Sequence, residues 1–205
     1  MSRIATTFLF LALIVLTVAP ARAELTLSDS LMSGIQFLGT QKDRMERAPL
    51  DSLERVQFDQ RVVEIFEWAD RRPLEGTLDG DQWLLLGDLM AWLSVFEQRY
   101  AYDRAVNAYK HAAAVPGNEY AGIQRLLTSY EKVGFAPGVV TTGERLLELD
   151  SKQATQDRVE YSLAVAHFKL GNKDQAERWV KRHLKHHSGD EEGLGLKQRI
   201  RNEMR

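Results

Sequence analysis

Residues 159–180 read VEYSLAVAHFKLGNKDQAERWV, and this stretch decides the fold. Leu163 and Ala164, then His167, recur at helical spacing, so one face of this segment is apolar. Leu170-Gly171-Asn172 ends that helix, because Gly supplies the left-handed residue that caps a C-terminus. Ala176 opens a second helix with a small residue, where two helices must cross closely. The stretch therefore reads as a helix, a tight turn and a second helix running back along the first.

The same pattern recurs upstream. The small residue opening the second helix is Ala105, Val139 and Ala176, with separations of 34 and 37 residues. The aromatic-type position of the preceding helix is Phe96, Tyr130 and His167, and the turn position is Tyr100, Gly134 and Gly171, at the same separations. Three features that keep one spacing define a repeat more securely than any one of them. These units resemble the tetratricopeptide repeat, over residues 82–188. Tyr102, Ala105, Tyr109, Ala112 and the terminating Pro116 carry the resemblance in the first unit. Leu126, Tyr130, Gly134 and the ending Leu146 to Asp150 carry it in the middle unit.

The resemblance implies an all-α fold, a right-handed superhelical array of antiparallel helix hairpins. Departures from the family pattern are visible. Trp83-x2-Leu86-Gly87 has the form of the opening signature but lies six residues early for the Ala105 register. Val139 and Gly143 replace the usual alanine and aromatic, and the 37-residue spacing implies three extra residues around Ser151 to Thr155. The repeats are degenerate.

Periodicity outside the repeats is helical too, and alternating strand-like stretches are absent. Helices are expected at about 28–46, 50–71, 81–99, 102–114, 118–133, 136–149, 155–170, 173–187 and 190–204. Arg72-Pro73 is expected to close the second. The organisation predicted is a signal peptide at 1–23, an N-terminal helical hairpin or cap at 24–80, about three repeats at 81–188 and a C-terminal capping helix at 189–205. A divergent extra repeat within 24–80 is an alternative.

Met1 to Ala23 has the grammar of a secretory leader: Arg3, the apolar run Phe8 to Val18, Pro20, and the small-x-small pattern Ala21-Arg22-Ala23. Its apolar run is shorter than the roughly 20 residues needed to span a bilayer. The expectation is cleavage after Ala23 and a periplasmic or secreted mature chain. Loss of Arg3 and Arg22 leaves 25 basic and 29 acidic side chains, a net of −4, which argues against general nucleic-acid binding. The 205 residues contain no cysteine, which excludes a thiol nucleophile, a disulfide framework and thiolate-bound metal.

No catalytic motif is present: no G-x-S-x-G, no H-E-x-x-H, no phosphate-cradling glycine loop. The chain is expected not to be an enzyme, and no cofactor or metal is assigned. His183 and His187, four apart, share a helix face and are the one arrangement compatible with a divalent metal. The competing reading is a solvated basic last turn, with Arg178, Lys181, Arg182 and Lys185 beside them complementing the helix dipole. Asp79-Gly80-Asp81 reads as a turn and helix N-cap, since the rest of a calcium loop is missing. Trp68, Trp83, Trp92 and Trp179 read as core, with Trp83 and Trp179 the alternatives for an interface.

In the family, the first helix of each hairpin lines a concave surface that holds a peptide or a partner's helix. Carried to this sequence, the candidate partner-binding residues are Ser94, Glu97 and Gln98; Gln124, Arg125, Thr128 and Glu131; and Arg158, Tyr161, Val165 and Phe168. The alternative is a solvated or self-packed face. The matched Lys and Asn residues with which some members clamp a C-terminal carboxylate are missing. The function implied is a non-enzymatic protein-binding adaptor or assembly factor of the bacterial cell envelope. The alternatives are a self-assembling scaffold, in which homo-oligomers form, and a metal-binding protein or enzyme centred on His183 and His187.

Overall fold

The computed structural model describes residues 26–75, 77–96, 98 and 100–204; the leader and Glu97 lie outside the described residues. Ten α-helices and no strand are found among them. In chain order these are α1 (Leu27–Arg47), α2 (Ser52–Glu75), α3 (Gly80–Val95), α4 (Ala101–Ala114), α5 (Glu119–Val133), α6 (Ala136–Leu149), α7 (Ser151–Gln156), α8 (Val159–Lys169), α9 (Lys173–His186) and α10 (Glu191–Glu203).

Three hairpins, α3/α4, α5/α6 and α8/α9, stack in sequence order. The second helix of each packs on the first helix of the next, and α9 packs on α10. The chain is thus an all-α solenoid. Its core is correspondingly segmented. One cluster joins α1–α4 through Leu38, Val62, Leu89, Leu93 and Ala105. A second, with Leu127, Leu146 and Leu163, joins α5–α8. A third seals the last hairpin under α10 with Val180, Leu196 and Ile200. No hairpin buries its apolar face alone, which is the physical reason for stacking.

The repeat register is visible in the backbone. Tyr100, Gly134 and Gly171 all adopt left-handed conformations, with φ of 66°, 74° and 76°. Ala105, Val139 and Ala176 are all buried at the following helix crossings. Side-chain ties repeat at the same period. Asn118 donates to Asp81 at 2.7 Å, Arg125 pairs with Asp88 at 3.0 Å, and Tyr120 donates to Asp157 at 2.7 Å. Each of these pairs is separated by 37 residues and joins one hairpin to the next.

Two glycines explain departures from the repeat pattern. A Cβ on Gly87 would overlap the Tyr109 ring, so the Trp83-to-Gly87 segment serves the α3/α4 contact. A Cβ on Gly143 would lie 2.9 Å from Leu163 Cδ2, so α8 occupies the room an aromatic side chain would take.

Three boundaries differ from expectation. The helix expected at 81–99 ends at Val95, because the amides of Phe96 and Gln98 both turn back onto the Leu93 carbonyl. The helix expected at 155–170 is two helices. Asp150 caps α7 by accepting from Gln153 N at 2.9 Å, and the three extra residues of the middle repeat fall in this short helix. Arg158, at φ 61°, then breaks the chain before α8. Finally, α2 runs past Pro73 to Glu75. The first two helices do not close tightly on each other: α1 lies mainly along α3, and α2 makes its main contact with α3 as well.

No helix of the described residues is long and apolar enough to cross a membrane.

Candidate protein-binding groove

With α1 along α3, and α3 touching α5, three helices form one inner face. A groove of about 420 Å³ runs across it. Its floor is apolar: Ile35 of α1, and Ala91, Trp92 and Val95 of α3. Asp88, Ala91, Trp92 and Val95 reach that floor together because spacings of three and four place them on one side of a helix. The rim is mostly cationic, formed by Lys42, Arg125 and Lys132, with Thr128 between the last two.

The polar groups are held in place. Asp88 Oδ1 accepts the Tyr109 hydroxyl at 2.8 Å and faces Arg125 Nε at 3.0 Å, so the one groove carboxylate is neutralised. Burial, then the Asp88 charge and hydrogen bond, push the Tyr109 phenol well above its ordinary range, so it remains a donor. Lys42 Nζ lies 5.8 Å from the centre of the Trp92 ring, a cation–π contact, and also pairs with Glu46 at 3.3 Å. A groove with an apolar floor and cations at its edge can seat a peptide or helix with an apolar anchor and nearby carboxylates.

Of the candidate binding residues, Arg125 and Thr128 line this groove. Gln124 and Glu131 share α5 with them, Gln124 half-buried and Glu131 exposed. Ser94 and Gln98 sit at the end of α3 and donate to the local carbonyls of Ala91 at 2.7 Å and Phe96 at 3.5 Å. Arg158, Tyr161, Val165 and Phe168 are elsewhere. Arg158 pairs with Asp190 at 3.0 Å and Glu192 at 2.9 Å, and stacks over the Tyr161 ring at 4.9 Å. Tyr161, Val165 and Phe168 pack against the third core cluster, beneath α10. The structure therefore separates the third-repeat candidates from the α5 set. Ile35, Lys42, Asp88, Trp92 and Lys132 were not among the sequence candidates. The spacing of Asp88, Trp92 and Val95 was a usable signal for α3, whereas nothing local pointed to α1.

The histidine cluster is structural in its contacts. His183 is fully buried, with Nε2 2.9 Å from Asp190 Oδ2, and its ring stacks on His187 at 4.7 Å. His187 Nε2 lies 3.0 Å from the Thr155 carbonyl oxygen. Groups of three or more His, Cys, Asp or Glu placed to hold a metal are absent among the described residues. Nearby, the buried Glu160 faces Arg182 Nε at 2.6 Å, without the alignment of a hydrogen bond. Asp79 caps α3 by accepting from Gln82 N at 2.8 Å. Trp68 packs on the first core cluster, Trp83 stacks on His111 at 4.4 Å, and Trp179 bridges the second and third clusters. Only Trp92 of the four tryptophans lines the groove.

Comparison with known proteins agrees with this architecture at its C-terminal end. Neither a curated protein nor a solved structure matches the chain. Residues 159–205, which span α8, α9 and α10, match the family described as the Fis1 C-terminal tetratricopeptide repeat, and that match supports a tetratricopeptide-like array whose general role is protein–protein interaction.

Proposed function

We propose that this chain is a non-enzymatic adaptor or assembly factor of the bacterial cell envelope. Its work is to hold a segment of a partner protein in the groove across α1, α3 and α5. The observation that carries the reading is the groove itself: an apolar floor at Trp92 with Lys42, Arg125 and Lys132 at its edge. The leader-like segment Met1 to Ala23 supports the envelope as its compartment, with cleavage after Ala23. Tetratricopeptide-like arrays are typically interaction modules rather than enzymes, which favours binding over catalysis.

Site-specific photo-cross-linking in cells tests the reading. A photoreactive residue at Thr128 in the groove is expected to give one discrete adduct, absent when the same residue is at Glu148 on α6. The adduct should fade when Trp92→Ala is added. Identical adducts from both positions would count against a groove-bound partner.

Self-association is a second reading, favoured by α2. Leu53, Val56 and Val63 are exposed at spacings of three and seven, a seam separate from the buried stripe of Phe58, Val62, Ile65 and Ala69. Light scattering during size exclusion distinguishes it, since a monomer at micromolar concentration would exclude a stable assembly.

A further inference from the structure

Four of the large apolar side chains that face solvent lie along one edge of the array. Tyr100 is 58% exposed in the α3–α4 turn, Val133 and Phe135 are 52% and 50% exposed in the α5–α6 turn, and Leu170 is 42% exposed in the α8–α9 turn. All three are turns within a hairpin, and the hairpins stack in order, so all three lie on the same edge. The first two turns are tied together: the Tyr102 hydroxyl, just after Tyr100, donates to Ser129 O at 3.3 Å, just before Val133. The opposite edge differs. Its loops at 115–118, 150 and 187–190 expose no large apolar side chain.

Cations accompany the apolar tips. Lys132 directly precedes Val133 and Lys169 directly precedes Leu170; both are exposed, and neither has an ion-pair partner among the described residues. Acidic side chains lie at these turns too: Asp103, Glu131, Asp174 and Glu203, the last paired with Lys173 at 3.5 Å. The first turn of α6 has no acidic residue, and Glu131 at the end of α5 is the acid beside the middle tip of Val133 and Phe135.

We propose that this edge is a peripheral contact surface for an anionic lipid bilayer, entered by Tyr100, Val133, Phe135 and Leu170 and held by Lys132 and Lys169. Bulky tips on convex turns suit a bilayer, which yields around each of them. A protein would need a shaped pocket for every tip. Aromatic rings settle at the headgroup boundary, aliphatic tips go slightly deeper, and lysines reach the lipid phosphates along their flexible stems. A line of turns meets a plane without bending the solenoid. The groove across α1, α3 and α5 shares Lys132 with this edge but none of the four apolar tips, so the two contacts are separable at Phe135 and Leu170.

Because the chain has no cysteine, single-cysteine variants report position by position. The full chain would carry an environment-sensitive NBD fluorophore at Phe135→Cys, Leu170→Cys or, as control, Glu148→Cys near the opposite end of α6. Vesicles of phosphatidylcholine mixed with phosphatidylglycerol are expected to blue-shift and brighten the first two labels several-fold, with little change at the control. Pure phosphatidylcholine vesicles should give much less, and Lys132→Glu with Lys169→Glu should abolish the response while Lys132→Arg with Lys169→Arg keeps it. Each label reads its own surroundings, so a leader that holds the chain on the vesicle cannot imitate edge insertion. Silence at both edge labels overturns the proposal. So does an equal response at Glu148, an equal response on neutral vesicles, or a shift of the edge labels without vesicles that grows with protein concentration, which would make the edge a contact between copies.

Discussion

Asp88 accepts the Tyr109 hydroxyl at 2.8 Å, and Arg125 Nε reaches the same oxygen at 3.0 Å. One carboxylate therefore links α3, α4 and α5 beneath the groove. Replacing it leaves a buried phenol and a guanidinium without their acceptor. Asp88→Ala is expected to cost about 2 kcal/mol, and Tyr109→Phe, which removes only the donor, about 1 kcal/mol. Urea unfolding of the two variants checks both the magnitudes and their order.

Tyr100 holds the left-handed turn position that glycine holds in the two later hairpins. A side chain in that conformation costs about 1 kcal/mol relative to glycine. Tyr100→Gly is therefore expected to relieve that strain, and the midpoint of thermal unfolding reads the gain net of the contact the Tyr100 side chain gives up. The same substitution at Arg158, also left-handed, is expected to gain less or to lose, because it removes the pairs with Asp190 and Glu192.

Gly87 faces the Tyr109 ring with no room for a Cβ. Both partners sit in the interior of the first core cluster, where the ring cannot swing into solvent. Gly87→Ala is expected to destabilise by about 2 kcal/mol through overpacking, despite the better helix propensity of alanine. Combining it with Tyr109→Leu should recover part of the loss, which a double-mutant cycle measures.

His167 is buried, and desolvation lowers its pKa from the ordinary 6.5, against a smaller opposing effect of Glu144. Below 6.5 the unfolded chain takes up a proton that the folded site resists. The contribution to stability is therefore present above 6.5 and declines as pH falls toward the lower folded value. His167→Phe removes that decline. Denaturant midpoints followed downward from pH 7 are expected to fall less steeply for the variant than for the parent chain.

Asp190 caps α10 through Gly193 N at 2.9 Å, meets His183 Nε2 and pairs with Arg158. Its carboxyl is held below the ordinary 3.8, chiefly by the hydrogen bond with His183 and then by the Gly193 amide and the Arg158 charge, against the opposing effect of burial. Stability from this group is present above 3.8 and lost as pH falls through the lower folded value. Asp190→Asn keeps the cap geometry and loses the charge, so it is expected to cost about 1 kcal/mol near neutrality. The difference from the parent should vanish in strong acid, as chemical unfolding at several pH values would show.

The fold was largely legible because its information is periodic. The turn trio Tyr100, Gly134 and Gly171 and the crossing trio Ala105, Val139 and Ala176 can be aligned without knowing any contact. The candidate groove was legible only in part. Arg125 and Thr128 follow from helix phase on α5. Lys42 and Ile35 come from a helix outside the recognised repeats, and no spacing rule links residue 42 to residue 92. Arg158, Tyr161 and Phe168 lie away from this groove: Tyr161 and Phe168 are half-buried against the third core cluster, and Asp190 pairs with the Arg158 guanidinium.

Hydrophobic phase, turn glycines and the repeat spacing settle which segments are helices and that consecutive hairpins stack, because these are local properties of backbone sterics and side-chain period. Which face stays open is not local. It depends on where α1 and α10 dock, and that follows from the summed burial of Leu31 and Leu38 at one end and of Leu196 and Ile200 at the other. The break at Arg158 belongs with them: a left-handed arginine is unfavourable by itself and persists through ion pairs with residues more than thirty positions away.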